Sequence, residues 1–394
     1  MMKILVNWDY ERKDLMHPFA LLQEEIEWVF IYKGSAPGTG REKLFGTDVL
    51  YWNDYSSPYD LLQQVKPGKV LFHDIESFPQ VALNIAAKNT GIETLVLEHG
   101  LRAAYEIDIA YENARSPRPA TAGNAVPAAS KGKSSLLFYL RAFRLKNIAS
   151  LLHFLRFPFT RKKYGLTIGL HRSPFSLREA DRYINFTMHN ASYILKRDHI
   201  AEEKVIAIGN PNFDAQYEAF EKYADAPKEN YYLLIDAPYC EQAIFGMPQQ
   251  QKIAFYRKLN EFCLLKGARL KIKLHPQSYT ADYLPAHANI DYIREALVSE
   301  YIMKAQGCIL VNLSTLSPLA MYYSRCIYMN SGLNPYDREL IGNQYVPEYD
   351  FNRFDPAALD FKEITPALKA GIKNAYLYAT DGKATQRLKQ ILLR

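Results

Sequence analysis

Short, continuous apolar runs recur through the first hundred residues, and the stretches between them carry apolar positions at helical spacing. Residues 3–7, 28–32, 49–52, 69–73 and 94–98 read as strands. Between the last two, residues 79–88 repeat apolar side chains every three or four positions, as a helix does. A strand that is apolar at every position, rather than every second one, is buried on both faces. That pattern predicts a parallel sheet with helices on either side.

The pattern breaks at residues 114–135, a run of Ala, Pro, Ser and Gly with little to bury, which reads as a loop. Residues 136–159 then interleave Leu, Phe and Ile with Arg141, Arg144, Lys146 and Arg156, predicting a basic amphipathic helical segment that ends before Pro158. Strands at 182–185 and 205–208 close the first half. A second series of strands is expected at 231–236, 269–274, 290–293, 308–312 and 326–329, with helices at 249–266, 298–305 and 316–323. The fold class is therefore α/β, with two Rossmann-like domains facing a central cleft. The expected divisions are 1–210, with a basic helical insertion at about 114–165, then 211–365, then one C-terminal helix over 366–394 able to cross back onto the first domain.

Composition narrows this picture. A chain of 394 residues exceeds one ordinary core, and 48% hydrophobic with 23% charged residues excludes a disordered chain. Cys240, Cys263, Cys308 and Cys326 show no C-x-x-C spacing, so neither a disulfide framework nor a zinc site is indicated. The start, Met-Met-Lys-Ile-Leu-Val-Asn-Trp-Asp, reads as a buried strand rather than a signal peptide, and no run of about 18 uncharged apolar residues occurs. A cytoplasmic protein is expected.

The net charge of +6 is unevenly placed. Residues 113–178 contain no Asp or Glu but include Arg115, Arg118, Lys131, Lys133, Arg141, Arg144, Lys146, Arg156, Arg161, Lys162 and Lys163. Such a block points to an anionic partner. No nucleic-acid module accompanies it, so nucleic acid is not expected. Two readings stay open for 136–163: peripheral docking on an anionic inner-membrane surface, or a helical hairpin covering the first domain.

Four strand ends carry candidate chemistry, and ligands of open α/β sheets bind at such ends. Glu98-His99-Gly100, followed by Tyr105, sets an imidazole able to take a proton near neutral pH beside a tight turn. Lys271-Ile272-Lys273-Leu274-His275-Pro276 aligns Lys271, Lys273 and His275 on one face. Asn312-Leu313-Ser314-Thr315 runs into a helix start, where hydroxyls and free N–H groups suit a phosphate. Asp236-Ala237-Pro238 turns the chain after the first strand of the second half. Each also reads as plain turn or capping chemistry.

Taken together, these segments resemble the bacterial sialyltransferases of the GT-B fold and the related capsule and lipooligosaccharide transferases that use CMP-activated sugars. Glu98-His99-Gly100 is similar to their acidic-acidic-Gly motif, His275-Pro276 to their His-Pro motif, and Ser314-Thr315 to their Ser/Thr motif. Residues 234–238, ending Asp236-Ala237-Pro238, are similar to the turn that opens the donor domain in lipooligosaccharide sialyltransferases.

The resemblance implies inverting transfer of a sugar, sialic acid, Kdo or a related nonulosonate, to a cell-surface glycan or glycolipid. It gives His99, Glu98 and His275 as catalytic residues. Lys273, Pro276, Ser314, Thr315, Asp236 and Pro238 would bind the nucleotide phosphate, with no metal and no cofactor. His99 stands where that family has a second acidic residue, and Leu319 stands near where an acidic residue often follows the Ser/Thr motif. A His-Gly plus His-Pro pair also resembles the CDP-glycerol glycerophosphotransferases, the alternative activity. A non-catalytic glycan-binding or assembly protein is the third reading. Gly209-Asn210-Pro211 with Asp214 is similar to the interdomain segment of UDP-N-acetylglucosamine 2-epimerases and reads as the domain crossover.

Overall fold

The computed structural model describes residues 1–11, 15–36, 40–114, 138–144, 148–242, 245–295, 297–334 and 336–394. The chain divides into two units. The first comprises Met1–Gly100, Ile109–Asn212 and Lys383–Arg394, and the second Leu101–Asp108 with Phe213–Gly382. Tyr105, grouped above with the Glu98-His99-Gly100 turn, therefore belongs to the second unit.

The first unit is built on β1 (Met2–Asn7), β2 (Ile26–Phe30), a small ribbon of β3 (Lys43–Leu44) and β4 (Thr47–Asp48), β5 (Lys69–Phe72), β6 (Glu93–Leu97), β7 (Arg182–Asn185) and β8 (Val205–Ala207). Six of these form a parallel sheet in the order β2-β1-β5-β6-β7-β8. Helix Phe78–Thr90, between β5 and β6, opens with a Ser77–Gln80 capping box and stops at Gly91, whose φ of 74° suits a residue without Cβ. The expected strand at 49–52 is not formed. Leu50 makes only an isolated bridge to Ile31, and Trp52–Asp54 turns into a 3-10 helix because Trp52 Nε1–H reaches back to the Tyr32 carbonyl.

The second unit contains β9 (Tyr231–Ile235), β10 (Arg269–Lys273), β11 (Ile290–Ile293), β12 (Cys308–Leu310), β13 (Cys326–Asn330) and β14 (Glu348–Asp350). They are parallel in the order β11-β10-β9-β12-β13-β14, the 3-2-1-4-5-6 order of a Rossmann sheet. Leu234, Ile272 and Ile309 face one apolar cluster with helix Gln249–Leu265, while Leu233, Ile235 and Leu310 face another on the opposite side. Both faces are covered, which is why these strands read as unbroken apolar runs. The edge strand β14, with Glu348 and Asp350 exposed, gave no such run. Thus the α/β class and the two Rossmann-like halves expected of a GT-B chain are present.

The single helix expected over 366–394 is two. Helix Pro366–Ile372 continues as a π-helical turn, Lys373–Leu377, and packs into the second unit through Ile372, Tyr376 and Leu377. The chain then breaks at Tyr378, φ 66°, and turns through Gly382, φ 64°. Helix Ala384–Leu393 returns to the first unit, where Leu388 and Leu392 join the cluster around Ile4 and Val6. Arg387 Nη1 donates to the Ile208 carbonyl at 3.1 Å, and Lys69 Nζ to that of Ile391 at 3.2 Å.

Of the basic segment, Arg115, Arg118, Lys131, Lys133 and Lys146 lie outside the described residues. Helix Ile148–Tyr164 runs past position 158 instead of ending before it. Its last turns are held by helix Leu166–His171, so close that a Cβ on Gly169 would stand 2.8 Å from the Arg161 Cα. The hydroxyls of Thr160 and Ser173 lock the same crossing at 2.7 Å.

A buried charge cluster ties the first unit together. Asp198 lies 2.8 Å from Arg178 and 2.7 Å from Arg197, and Arg197 also pairs with Glu76 at 2.5 Å. Burial alone would raise the Asp198 pKa, but the two guanidiniums overcome it and hold the carboxyl far below the usual range. A carboxyl depressed on folding stabilises the protein above the ordinary carboxylate range, and that stability is lost as pH falls below about 4. Asp198→Asn should therefore cost about 3–5 kcal/mol at pH 7, since it leaves two buried cations short of a partner. In denaturant titrations across pH, the variant should lose less further stability below pH 4 than the parent; equal acid slopes would contradict this.

Candidate functional site

In the first unit, β2 lies on one side of β1 and β5 on the other, so the strand order reverses between β1 and β5. Loops diverge at such a point and leave room for a ligand beyond the carboxyl ends of the strands. Asn7 ends β1 and Trp8 follows it, His73-Asp74 follow β5, and Glu98-His99-Gly100 follow β6 next to it.

Buried hydrogen bonds fix these ends. Asn7 Nδ2 donates to the Ile31 carbonyl and Asn7 Oδ1 accepts from Gln80, both at 2.8 Å. Glu98 is buried; its Oε1 accepts the N–H groups of His99 at 2.9 Å and Gly100 at 3.3 Å and stands 3.4 Å from His99 Nδ1. The glutamate thus shapes the turn that carries the histidine.

The sequence did not single out His73 as chemistry. Its ring centroid lies 3.7 Å from that of His99, at 64°. Trp8 flanks both rings, at 4.9 Å from His73 and 6.2 Å from His99. His73 Nδ1 is 3.4 Å from Asp74 Oδ2, as His99 is from Glu98. Burial, then the charge of Glu76, pushes the Asp74 carboxyl up. Trp8 Nε1 and His73 Nε2 are buried without a hydrogen-bond partner among the described residues. Two imidazoles, each beside a carboxyl group, thus stand together at the ends of the neighbouring strands β5 and β6, next to the strand-order reversal. The signal that could have found it is His-Asp directly after an apolar strand, the counterpart of Glu-His one strand on.

In the second unit the order reverses between β9 and β12. Strands β10 and β12 lie on either side of β9, so the segments that follow them, with His275-Pro276 and Ser314-Thr315, come from the two strands that neighbour the one leading into the Asp236–Pro238 turn. Lys273 is buried, donating to the Leu274 carbonyl at 2.6 Å and the Tyr279 hydroxyl at 3.2 Å; burial lowers its pKa to about 8. His275 opens the turn Pro276–Ser278 by accepting the Gln277 N–H at Nδ1, 3.3 Å, and Pro276 is exposed. Ser314 shares its hydroxyl with that of Ser317 at 3.1 Å, while Ser317 donates to the Asn312 carbonyl at 2.6 Å. Ser314 and Thr315 are half-buried.

Asp236 is turned inward. Its carboxylate pairs with the fully buried Lys252 at 2.9 Å, and Lys252 also donates to the Ala237 carbonyl at 2.9 Å. Pro238 is buried, its carbonyl accepting the Gln242 N–H. The next residue, Tyr239, donates its hydroxyl to the Val311 carbonyl, tying this turn to the end of β12. Asp337 was also missed. It lies buried at the start of helix Asp337–Gly342, where burial raises its carboxyl to about 7.

The profile of the alpha-2,8-polysialyltransferase (POLYST) family matches residues 47–325. No curated protein matches the sequence. Among solved structures, the wall teichoic acid polymerase TagF superimposes with a TM-score of 0.48 at 12% identity, covering 99% of this chain and 88% of its own. The UDP-GlcNAc 2-epimerase of Neisseria meningitidis, bound to UDP-GlcNAc, gives 0.48 at 14% identity and full coverage of both chains. The glycotransferase of kitacinnamycin gives 0.45 at 11% identity, covering 100% and 94%.

The ring cluster is directly testable. In an imidazole NMR spectrum, His73→Ala should shift the His99 ring protons, because a ring at 3.7 Å imposes its ring current on its neighbour. His99 signals left in place would mean that the two rings are apart.

Proposed function

Because the chain belongs to the alpha-2,8-polysialyltransferase family and is a glycosyltransferase, we propose that its donor is a CMP-activated sugar and its acceptor a cell-surface glycan or glycolipid. The donor sugar is sialic acid, Kdo or a related nonulosonate. The observation that carries this reading is the His99 imidazole, seated on the Glu98 turn at the end of β6, one strand from the strand-order reversal of the first unit.

The reaction is a single displacement. An acceptor hydroxyl oxygen attacks the anomeric carbon while His99 takes its proton, and the bond from that carbon to the phosphate oxygen breaks. CMP departs and the configuration inverts. A placed base is typically worth about 10²–10⁴-fold. Glu98 acts through His99, fixing the turn that presents it. In the second unit, His275 hydrogen-bonds the departing phosphate, Ser314 and Thr315 offer their hydroxyls, and Lys273 adds positive charge. Asp236 and Pro238 shape the neighbouring turn. The charge that balances the leaving group then comes from protein groups.

CDP-glycerol is the second donor to consider, because a histidine stands where a carboxylate is expected in the sialyltransferase-like motif. A non-catalytic, glycan-binding role is the third reading.

Incubation with CMP-sialic acid, CMP-Kdo and CDP-glycerol, with released nucleotide as the readout, separates them. A CMP-sugar should be cleaved, and His99→Ala and His275→Ala should each lower turnover by about 100-fold or more at an unchanged melting temperature. Near-normal rates in either variant would overturn the roles, and release from CDP-glycerol alone would replace the donor. Lys273 adds a pH signature. With its value lowered to about 8, it is charged below that pH and neutral above, so kcat/KM for the donor should fall as pH rises through 8. Lys273→Met should flatten that limb.

A further inference from the structure

We propose that helix Ile148–Tyr164 is an interfacial helix that seats this protein on an anionic phospholipid surface, a property separate from the transfer reaction. Among the described residues, Leu152, Leu155 and Phe159 of this helix are 70%, 44% and 76% exposed. Leaving three large apolar side chains in water costs free energy that burial in a core would recover, so their exposure on one element marks an interaction surface.

Their spacing places them together. At about 100° per residue, Leu155, Phe159 and Leu152 fall within an arc of about 60°. Lys162 borders that arc on one side and Arg156 on the other, while Lys163 falls beside Leu152 further along the helix. Arg156, Arg161, Lys162 and Lys163 are all exposed, and no salt bridge joins them to an acidic side chain among the described residues. No Asp or Glu occurs anywhere in residues 113–178, so nothing in the local chain neutralises them.

An apolar stripe bordered by cations has the chemistry of a helix lying in the plane of a bilayer, its stripe among the upper acyl chains and its bases at the phosphates. The alternative expectation, that the apolar face covers the first domain, holds at Phe138, Tyr139 and Ala142, which are buried against Trp52, Phe78 and Tyr59, but not at 152, 155 and 159, whose side chains remain in solvent. A polyanionic glycan would satisfy the bases but leave the stripe without a role. No described helix is long and apolar enough to cross a membrane, so docking here would be peripheral to the bilayer surface.

The test is sedimentation with phosphatidylcholine vesicles, with and without phosphatidylglycerol, using the full chain. The parent should bind the mixed vesicles and not the zwitterionic ones. Leu152→Ser combined with Phe159→Ser should weaken that binding about tenfold or more. Its melting temperature, and its turnover on a water-soluble acceptor, should stay unchanged. Arg156→Gln with Lys163→Gln should weaken binding and flatten its salt dependence. The proposal is overturned if the parent ignores anionic vesicles, or if the double serine variant binds them as the parent does. It is equally overturned if a soluble acidic polysaccharide binds the parent and the double serine variant alike and displaces both from vesicles. A loss of turnover on the soluble acceptor would instead place this helix in the transfer reaction.

Discussion

Burial of both faces of each parallel sheet governs where chemistry can stand in this protein. The middle strands have no solvent-facing side, since Leu233 and Leu234 point to opposite apolar clusters. Polar groups can therefore act only beyond the strand ends, where helices and loops begin. Within each unit the order reverses once, and the candidate residues gather near that reversal: Trp8, His73 and His99 in the first unit, and the turns at Asp236, His275 and Ser314 in the second.

Holding such turns in place requires buried polar groups with fixed partners. Lys252 beneath Asp236, Glu98 beneath His99, and Gln80 beneath Asn7 all do this, each satisfied by backbone or side-chain bonds. A buried charge gains little over a well-packed apolar pair, so its value here is in specifying one geometry. The same logic separates residues that present a group from those that support one. Asp236 supports its turn from within, whereas His275 stands half-exposed at the tip of one.

The strands that could be read from the sequence were those buried on both faces. A continuous apolar run such as that of β1, β5, β9 or β13 is stable in water only when both of its sides are covered. Where burial was partial, the signal failed. The edge strand β14 is charged, and residues 49–52 are apolar because Tyr51 and Trp52 pack inward beside a turn. Proline at 158 argued for a helix end, but contact with helix Leu166–His171 outweighed local propensity. The split within 366–394 depends on Tyr378 and Gly382, whose backbone angles are set by which unit each half joins. Glu98, His99, His275, Ser314 and Thr315 could be named because they follow apolar runs directly. His73 reads in the sequence as the last residue of its own run, and its closeness to His99 arises only when β5 and β6 pair.

The proposed transfer rests on a cytidine nucleotide bound at the second unit's strand ends. A thermal-shift series with CMP, CDP, UDP and GDP tests it most directly, because a ligand bound only by the folded state must raise the melting temperature. A concentration-dependent rise is expected with CMP, and little or none with UDP or GDP. No shift with any nucleotide, or a shift led by UDP, would contradict it.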